Sequence, residues 1–255
     1  MNMAQLSVQN IRAGFAGLLA LDDVSISVEK GERVGLIGTN GAGKSTLFSV
    51  IGGYVPAQGG RVHFDGQDIS QFGVQRRVNL GLARTFQVPR EFGQLSVLEN
   101  MMAAAPDQSG EHLGTLFLSP GRVRRQEAEI RERAQGLLEF LNLAKVANVL
   151  AGKLSGGQKK LLELGRLLMM KPGFIMLDEP FAGVNPVLVD ELSRRIVELN
   201  EQGITVLIIE HNLQALSELV PRMYIMDRGK VLCEGTPEHV LADERVREAY
   251  MGGTV

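Results

Sequence analysis

The sequence predicts an α/β fold, a largely parallel sheet built around a phosphate-binding loop. Three observations carry that expectation. The run Gly38-Thr39-Asn40-Gly41-Ala42-Gly43-Lys44-Ser45-Thr46 reads G-x-x-x-x-G-K-[ST] and lies between an apolar strand and a helix. Phe174-Ile175-Met176-Leu177 is a continuous apolar run, as a strand buried on both faces should be. Strand, helix and strand then alternate toward the C-terminus, which implies parallel pairing with right-handed crossovers.

The first third reads as strands. Leu6-Ser7-Val8 and Val24-Ser25-Ile26-Ser27-Val28 alternate apolar and polar residues, the period of half-buried strands. Glu29-Lys30-Gly31-Glu32 is a turn, and Arg33-Val34-Gly35-Leu36-Ile37 a buried strand running into the loop. Ser45 to Ile51 opens a helix, and Arg61 to Gly66 is a short strand ending at a turn. The middle, from Ser96 to Ala151, reads as helical. Ile130, Ala134, Leu137, Leu138 and Leu141 share one face. Arg122, Arg124, Arg125, Glu127, Glu129, Arg131, Glu132 and Arg133 read as a solvated face. Later, Asn185 caps a helix with Pro186 at its first position. Val189, Leu192, Ile196 and Leu199 form its buried stripe. Gly203 ends it, and Ile204 to Ile209 is the next buried strand.

Bulk composition narrows the function. The chain has 255 residues, 44% of them hydrophobic, enough for one large domain or a core with a subdomain. A formal net charge of −2 argues against a non-specific nucleic-acid binder. Cys233 is the only cysteine, so no intrachain disulfide can form and a structural role is expected. Met1 to Asn10 lacks the apolar stretch of a secretory signal. No segment approaches the roughly 20 apolar residues of a membrane-spanning helix, so a soluble chain is expected.

The candidate chemistry sits in three places. Glycines let the loop wrap a polyphosphate, so that backbone N–H groups and the helix N-terminus face the anion. Lys44 can reach the β- and γ-phosphates, and the Ser45 hydroxyl can ligate Mg²⁺. Asp178 and Glu179 end an apolar strand, and in a parallel sheet ligands bind at such carboxyl ends. Asp178 can hold Mg²⁺ through water, and Glu179 can orient or deprotonate the attacking water. Leu154-Ser155-Gly156-Gly157-Gln158 forms a second anion nest at a helix start. One nucleotide cannot easily fill both nests in one chain. Two chains packed head-to-tail, each closing the other's loop, is the economical arrangement.

With these motifs in this order, the chain resembles the nucleotide-binding subunits of ATP-binding cassette (ABC) transporters over nearly its whole length. The resemblance implies a P-loop NTPase (RecA-like) core with an N-terminal antiparallel β subdomain and an inserted helical subdomain. Residues 1–87 and 163–255 would form the core with the β subdomain, and residues 88–162 the helical subdomain. It implies that Gln87 ligates Mg²⁺ and senses the membrane partner, that His211 contacts the γ-phosphate, and that Phe15 stacks on adenine. Lys44, Gln87, Glu179 and His211 would carry catalysis. Asn40, Ala42 and Thr46 would line the nucleotide with the loop glycines Gly38, Gly41 and Gly43. Ser155, Gly156, Gly157 and Gln158 would be the signature. Residues 182–185 occupy the family's D-loop, with Asn185 where many members carry Asp.

The resemblance also implies ATP and Mg²⁺ as cofactors, transmembrane permease subunits and a second ATPase subunit as partners, and a substrate-binding protein as an indirect one. It implies no nucleic acid, and a peripheral site on the cytoplasmic face of the cell membrane. Arg84 to Arg90, Glu179 to Pro186, Glu234 to Pro237 and Ala249 to Gly252 look like the branch that imports branched-chain amino acids. Urea and amide importers and the lipopolysaccharide exporter stand nearby. The long segment from Pro106 to Arg125 favours the amino-acid group, whereas the intact Leu-Ser-Gly-Gly-Gln departs from many of its members. A soluble repair or translation ATPase would carry a long coiled coil or two cassettes. A P-loop kinase would lack residues 154–158 and His211. A regulatory cassette would not keep Lys44, Asp178, Glu179 and His211 together.

Overall fold

The computed structural model describes residues 4–15, 17–85, 91–111 and 119–251. The chain divides into two compact units. The first comprises Met1–Gln87, Gly173–Ala182 and Val189–Val255, and the second Val88–Pro172 and Gly183–Leu188.

The first unit holds two sheets. β1 (Ala4–Phe15), β2 (Leu18–Glu29), β4 (Gly59–Phe64) and β5 (Gln67–Asp68) form an antiparallel sheet in the order β2-β1-β4-β5. Its alternation is the sequence's own: Leu6, Val8, Val24, Ile26 and Val28 are buried, with polar residues between them. Asp65 and Gly66 both take positive φ in the two-residue turn from β4 to β5, the geometry that Asp-Gly accepts with little strain.

The second sheet has the order β10-β9-β3-β8-β7-β6. Its strands are β3 (Arg33–Gly38), β6 (Leu82–Arg84), β7 (Phe174–Asp178), β8 (Thr205–Ile209), β9 (Arg222–Asp227) and β10 (Lys230–Gly235). All neighbours are parallel except β9 and β10. β7 and β8 are buried at every position, which is why residues 174–177 and 206–209 read as unbroken apolar runs. α1 (Lys44–Ile51) packs Leu47, Phe48 and Ile51 into one core with residues of both sheets. In that core Phe64 and Phe174 meet edge to face, with ring centroids 5.8 Å apart. α2 (Val74–Asn79), α7 (Leu213–Leu219), α8 (Pro237–Ala242) and α9 (Glu244–Met251) complete the unit with most of α6 (Pro186–Glu201).

The second unit is helical among its described residues, built on α3 (Val97–Ala103), α4 (Pro120–Phe140) and α5 (Gly156–Leu168). Ser96 and Glu99 form a capping box at the start of α3. Asn100, fully buried, donates to the carbonyls of Phe92, Leu95 and Ser96 and so pins the preceding loop. A Cβ on Gly165 would fall 2.7 Å from Met101 Sδ and 2.9 Å from Leu141 Cδ1, so glycine is what lets α5 approach its neighbours. On α4, Val123, Ala134 and Leu138 are buried. Its charged residues face solvent, apart from the half-buried Arg133, which donates to the Leu168 carbonyl at 2.7 Å. The expected helical reading of residues 96–151 resolves, among the described residues, into α3 and α4 with 3-10 turns at Ser109–Glu111 and Ala144–Val146. Residues 112–118 of the long segment lie outside the described residues.

Candidate functional site

The C-terminal ends of β3, β8, β7 and β6 stand side by side in the first unit. Asp178 is level with Ile209, and Leu36 with Ile209, in the strand register. The loop after β3, the Asp178-Glu179 pair after β7 and Glu210-His211 after β8 are therefore neighbours, the usual ligand position in a parallel sheet.

The phosphate-binding loop is shaped by close approach. A Cβ on Gly38 would lie 2.3 Å from the Met226 carbonyl oxygen, and Gly43, at φ 100°, would place one 2.6 Å from that of Ala20. Gly41 also has a positive φ, 79°. No side chain caps α1, and no acidic residue lies in its first turn. Its N-terminal N–H groups and dipole thus remain for an anion. Lys44 is only 5% exposed, and its Nζ donates to the carbonyls of Gly38 and Thr39 at 2.8 and 3.0 Å. Burial pushes its pKa down, and the charges of Glu179 and then Asp178 pull it back up. Both carboxylates are thus within electrostatic reach of the lysine. Asn40 and Ser45 are exposed, Thr46 is half-buried and Ala42 is buried.

Asp178 is held by Arg84 on β6. Arg84 Nη2 donates to Asp178 Oδ2 at 2.7 Å, with side chains 10% and 4% exposed. The other oxygen, Oδ1, is buried without a hydrogen-bond partner. A buried carboxylate oxygen with no donor fits a position that receives a cation or its water. Among the described residues no group of three or more His, Cys, Asp or Glu could cage a metal. Mg²⁺ in general keeps several waters and takes phosphate oxygens, so that one or two carboxylates can hold it. Ser45 and Asp178 fit such a role; Gln87, the third residue expected there, lies outside the described residues.

Glu179 is buried and takes a left-handed backbone, φ 50°. Its Oε1 lies 2.6 Å from His211 Nε2, so these two expected catalytic groups are in direct contact. Glu210, next to His211 in the chain, is itself buried, at 3% exposure. Burial pushes its pKa up, opposed by N–H donors from Phe181, His211 and Asn212. Phe15, at the end of β1, is 54% exposed, an aromatic face open to a partner ring.

In the second unit Ser155 caps α5 in a capping box: its Oγ accepts from Gln158 N–H, and Gln158 Oε1 accepts from Ser155 N–H. The Gln158 side chain is therefore tied to its own helix start. Ser155 and Gly156 are exposed, while Gly157 is buried against Leu188. The N–H groups of Gly156 and Gly157 lie in the first turn, where a helix offers no internal acceptor. Asn185 Oδ1 accepts from Leu188 N–H at 3.0 Å, the helix-cap role read for it. Cys233 is buried in β10 and burial raises its thiol pKa, which suits a structural residue.

Arg84, Thr85, Asp227 and Glu210 were not singled out as site residues by sequence. Thr85 Oγ1 accepts from Asp178 N–H at 3.0 Å. Thr39 Oγ1 donates to Asp227 Oδ1 at 3.1 Å, and Gly229 N–H to the Ala42 carbonyl at 3.0 Å, so the β9–β10 turn braces the loop. Arg84 stands in the run that drew attention to Gln87. A basic side chain on a strand entering a site was the one local signal for it.

Residues 21–182 match the family model described as ABC transporter. The chain belongs to the ABC transporter family. This cassette is 41% identical to a probable branched-chain amino acid transport ATP-binding protein, LivG, of Methanocaldococcus jannaschii, over 98% of both chains. It is 36% identical to the lipopolysaccharide export system ATP-binding protein LptB of Haemophilus influenzae, again over 98% of both. A solved ABC transporter cassette in its ADP conformation superposes with a TM-score of 0.83 at 39% identity, covering 98% of this chain and 99% of that one. Residues 230–255 of the cassette match a second model, described as branched-chain amino acid ATP-binding cassette transporter. The fold expected from sequence, a P-loop core with an antiparallel β subdomain and a helical part, is the one observed. The cassette is the nucleotide-binding, ATPase subunit type, and no helix among its described residues is long and apolar enough to cross a membrane.

Proposed function

We propose that this cassette hydrolyses ATP with Mg²⁺ and thereby drives a membrane permease that imports branched-chain amino acids. The observation that carries the chemistry is the meeting of the phosphate loop, Asp178 and the Glu179–His211 contact at neighbouring strand ends. The branch is supported by the match of the C-terminal tail, residues 230–255, and by the LivG relative.

On this reading the triphosphate displaces the two carbonyls that now hold Lys44 Nζ, and the lysine bridges the β- and γ-phosphates. The first turn of α1 takes the remaining oxygens. Phe15 stacks on the adenine. Bound Mg²⁺ would be held by Ser45, Asp178 and Gln87 and would neutralise charge on the phosphates. Glu179 takes the proton of the attacking water as its oxygen bonds to the γ-phosphorus and the bond to the ADP oxygen breaks. His211 donates to the γ-phosphate and loses that partner when phosphate leaves. A second cassette supplies its Ser155, Gly156, Gly157 and Gln158 to the same nucleotide, so ATP closes a head-to-tail dimer and hydrolysis opens it. The pair would sit at the cytoplasmic face of the membrane under the permease, which receives cargo from a substrate-binding protein.

The LptB relative supports a second reading, in which the permease exports lipopolysaccharide. Purification of the tagged chain from its native membranes separates the two. The expected result is an importer-type permease pair with a second cassette and an amino-acid-binding protein. Recovery of a lipid-export permease instead would overturn the substrate assignment while leaving the ATPase chemistry.

A further inference from the structure

The Glu179–His211 contact joins two loops that are 32 positions apart in the chain. Something must hold those loops at the distance the contact needs. Glu210 carries a carboxylate buried to 3% exposure, a costly group unless its oxygens are satisfied. Its Oε1 accepts from Phe181 N–H at 2.7 Å, and its Oε2 from His211 N–H at 3.1 Å. Phe181 lies two residues beyond Glu179; His211 belongs to the opposite loop. One carboxylate therefore clamps the backbones of both loops whose side chains meet at the reaction centre.

The backbone of Glu179 makes the clamp consequential. A left-handed φ of 50° is strained for glutamate and persists only where the surroundings enforce it. Glu179 N–H donates to the Ile209 carbonyl at 2.9 Å, and Ala182 N–H to the Glu179 carbonyl at 3.2 Å. Glu210 completes the enclosure through Phe181. Its own N–H reaches back to the Leu36 carbonyl, at 3.4 Å, so the clamp is anchored on the strand that leads into the phosphate loop.

We propose that Glu210 is a positioning residue for ATP hydrolysis: it holds the Glu179 carboxylate and the His211 imidazole in register without touching the nucleotide. The inference rests on the function proposed above. Alanine leaves two backbone donors, those of Phe181 and His211, without their acceptor and lets both loops relax. Glutamine keeps one acceptor oxygen but turns an NH₂ group toward a backbone donor, so it restores part of the clamp.

The test compares wild type, Glu210→Ala and Glu210→Gln by steady-state ATP hydrolysis, and measures nucleotide affinity with a fluorescent ATP analogue. The same substitutions are made on a Glu179→Gln background and read by single-turnover hydrolysis. Misplacing a catalytic group by about 1 Å costs on the order of 100-fold. The expected result is a kcat for Glu210→Ala lower by on the order of 100-fold, with KM and analogue affinity little changed, and an intermediate kcat for Glu210→Gln. On the Glu179→Gln background the Ala substitution should slow turnover by a clearly smaller factor, because one of the two groups it positions is already gone and only the His211 share remains. Wild-type turnover by Glu210→Ala would overturn the inference, as would an equal slowing on both backgrounds or a parallel loss of nucleotide affinity. A wild-type chain that binds the analogue yet never releases phosphate would overturn the proposed function itself, a distinguishable failure.

Discussion

Asp178 divides its two oxygens between two tasks. Oδ2 is neutralised by Arg84, while Oδ1 is left for a further partner. The pair is buried, so its attraction is not diluted by solvent, and neither charge can be removed without stranding the other. Breaking a buried pair in this way costs about 3–5 kcal/mol, whereas an exposed pair is worth at most about 1. Arg84→Met should therefore destabilise the nucleotide-free chain by about 3–5 kcal/mol in chemical denaturation. A change below about 1 kcal/mol would mean that Asp178 finds another counter-charge there. Arg84 Nη1 also donates to Ser49 Oγ at 3.1 Å, which ties α1 to the same pair. One guanidinium thus joins the helix that follows the glycine-rich loop to the acid proposed to meet the cation.

At the scale of elements, Gly157 explains itself by packing as much as by anion binding. A Cβ there would fall 1.6 Å from Leu188 Cδ2, at the start of α6. Leu188 is a flexible side chain and can yield, so Gly157→Ala should fold but lose about 1–3 kcal/mol through overpacking. Trimming Leu188 to Ala removes the obstacle. The double variant should be less destabilised than the sum of the two single ones in denaturation experiments; strict additivity would show that the two do not pack together. The phosphate loop, the strand β7 with Asp178 and Glu179, and the Asn185 cap are local patterns, complete within about ten residues, and they were legible. Gly157 against Leu188, Arg84 against Asp178 and Glu210 against Phe181 join positions far apart along the chain, and no local periodicity encodes such pairings. β6 was missed because three residues are too few to show a period. Gln87 was read from the family pattern alone and lies outside the described residues.

At the scale of the whole molecule, the proposed reaction draws on groups from several elements. The parallel sheet brings four strand ends together, the antiparallel sheet ends β1 at an exposed Phe15, and the helical unit presents Ser155 and Gly156 at the start of α5. Glu179 is the residue on which the account turns, because it alone is assigned the proton of the attacking water. Replacing it with glutamine keeps shape and hydrogen bonding but removes the base. The deciding measurement is phosphate release from ATP by the purified chain and by its Glu179→Gln variant, under conditions where both are shown to bind the nucleotide. The account predicts steady release by the wild type and a rate at least about 100-fold lower for the variant, the range that general-base catalysis contributes. Release by Glu179→Gln at the wild-type rate would contradict it.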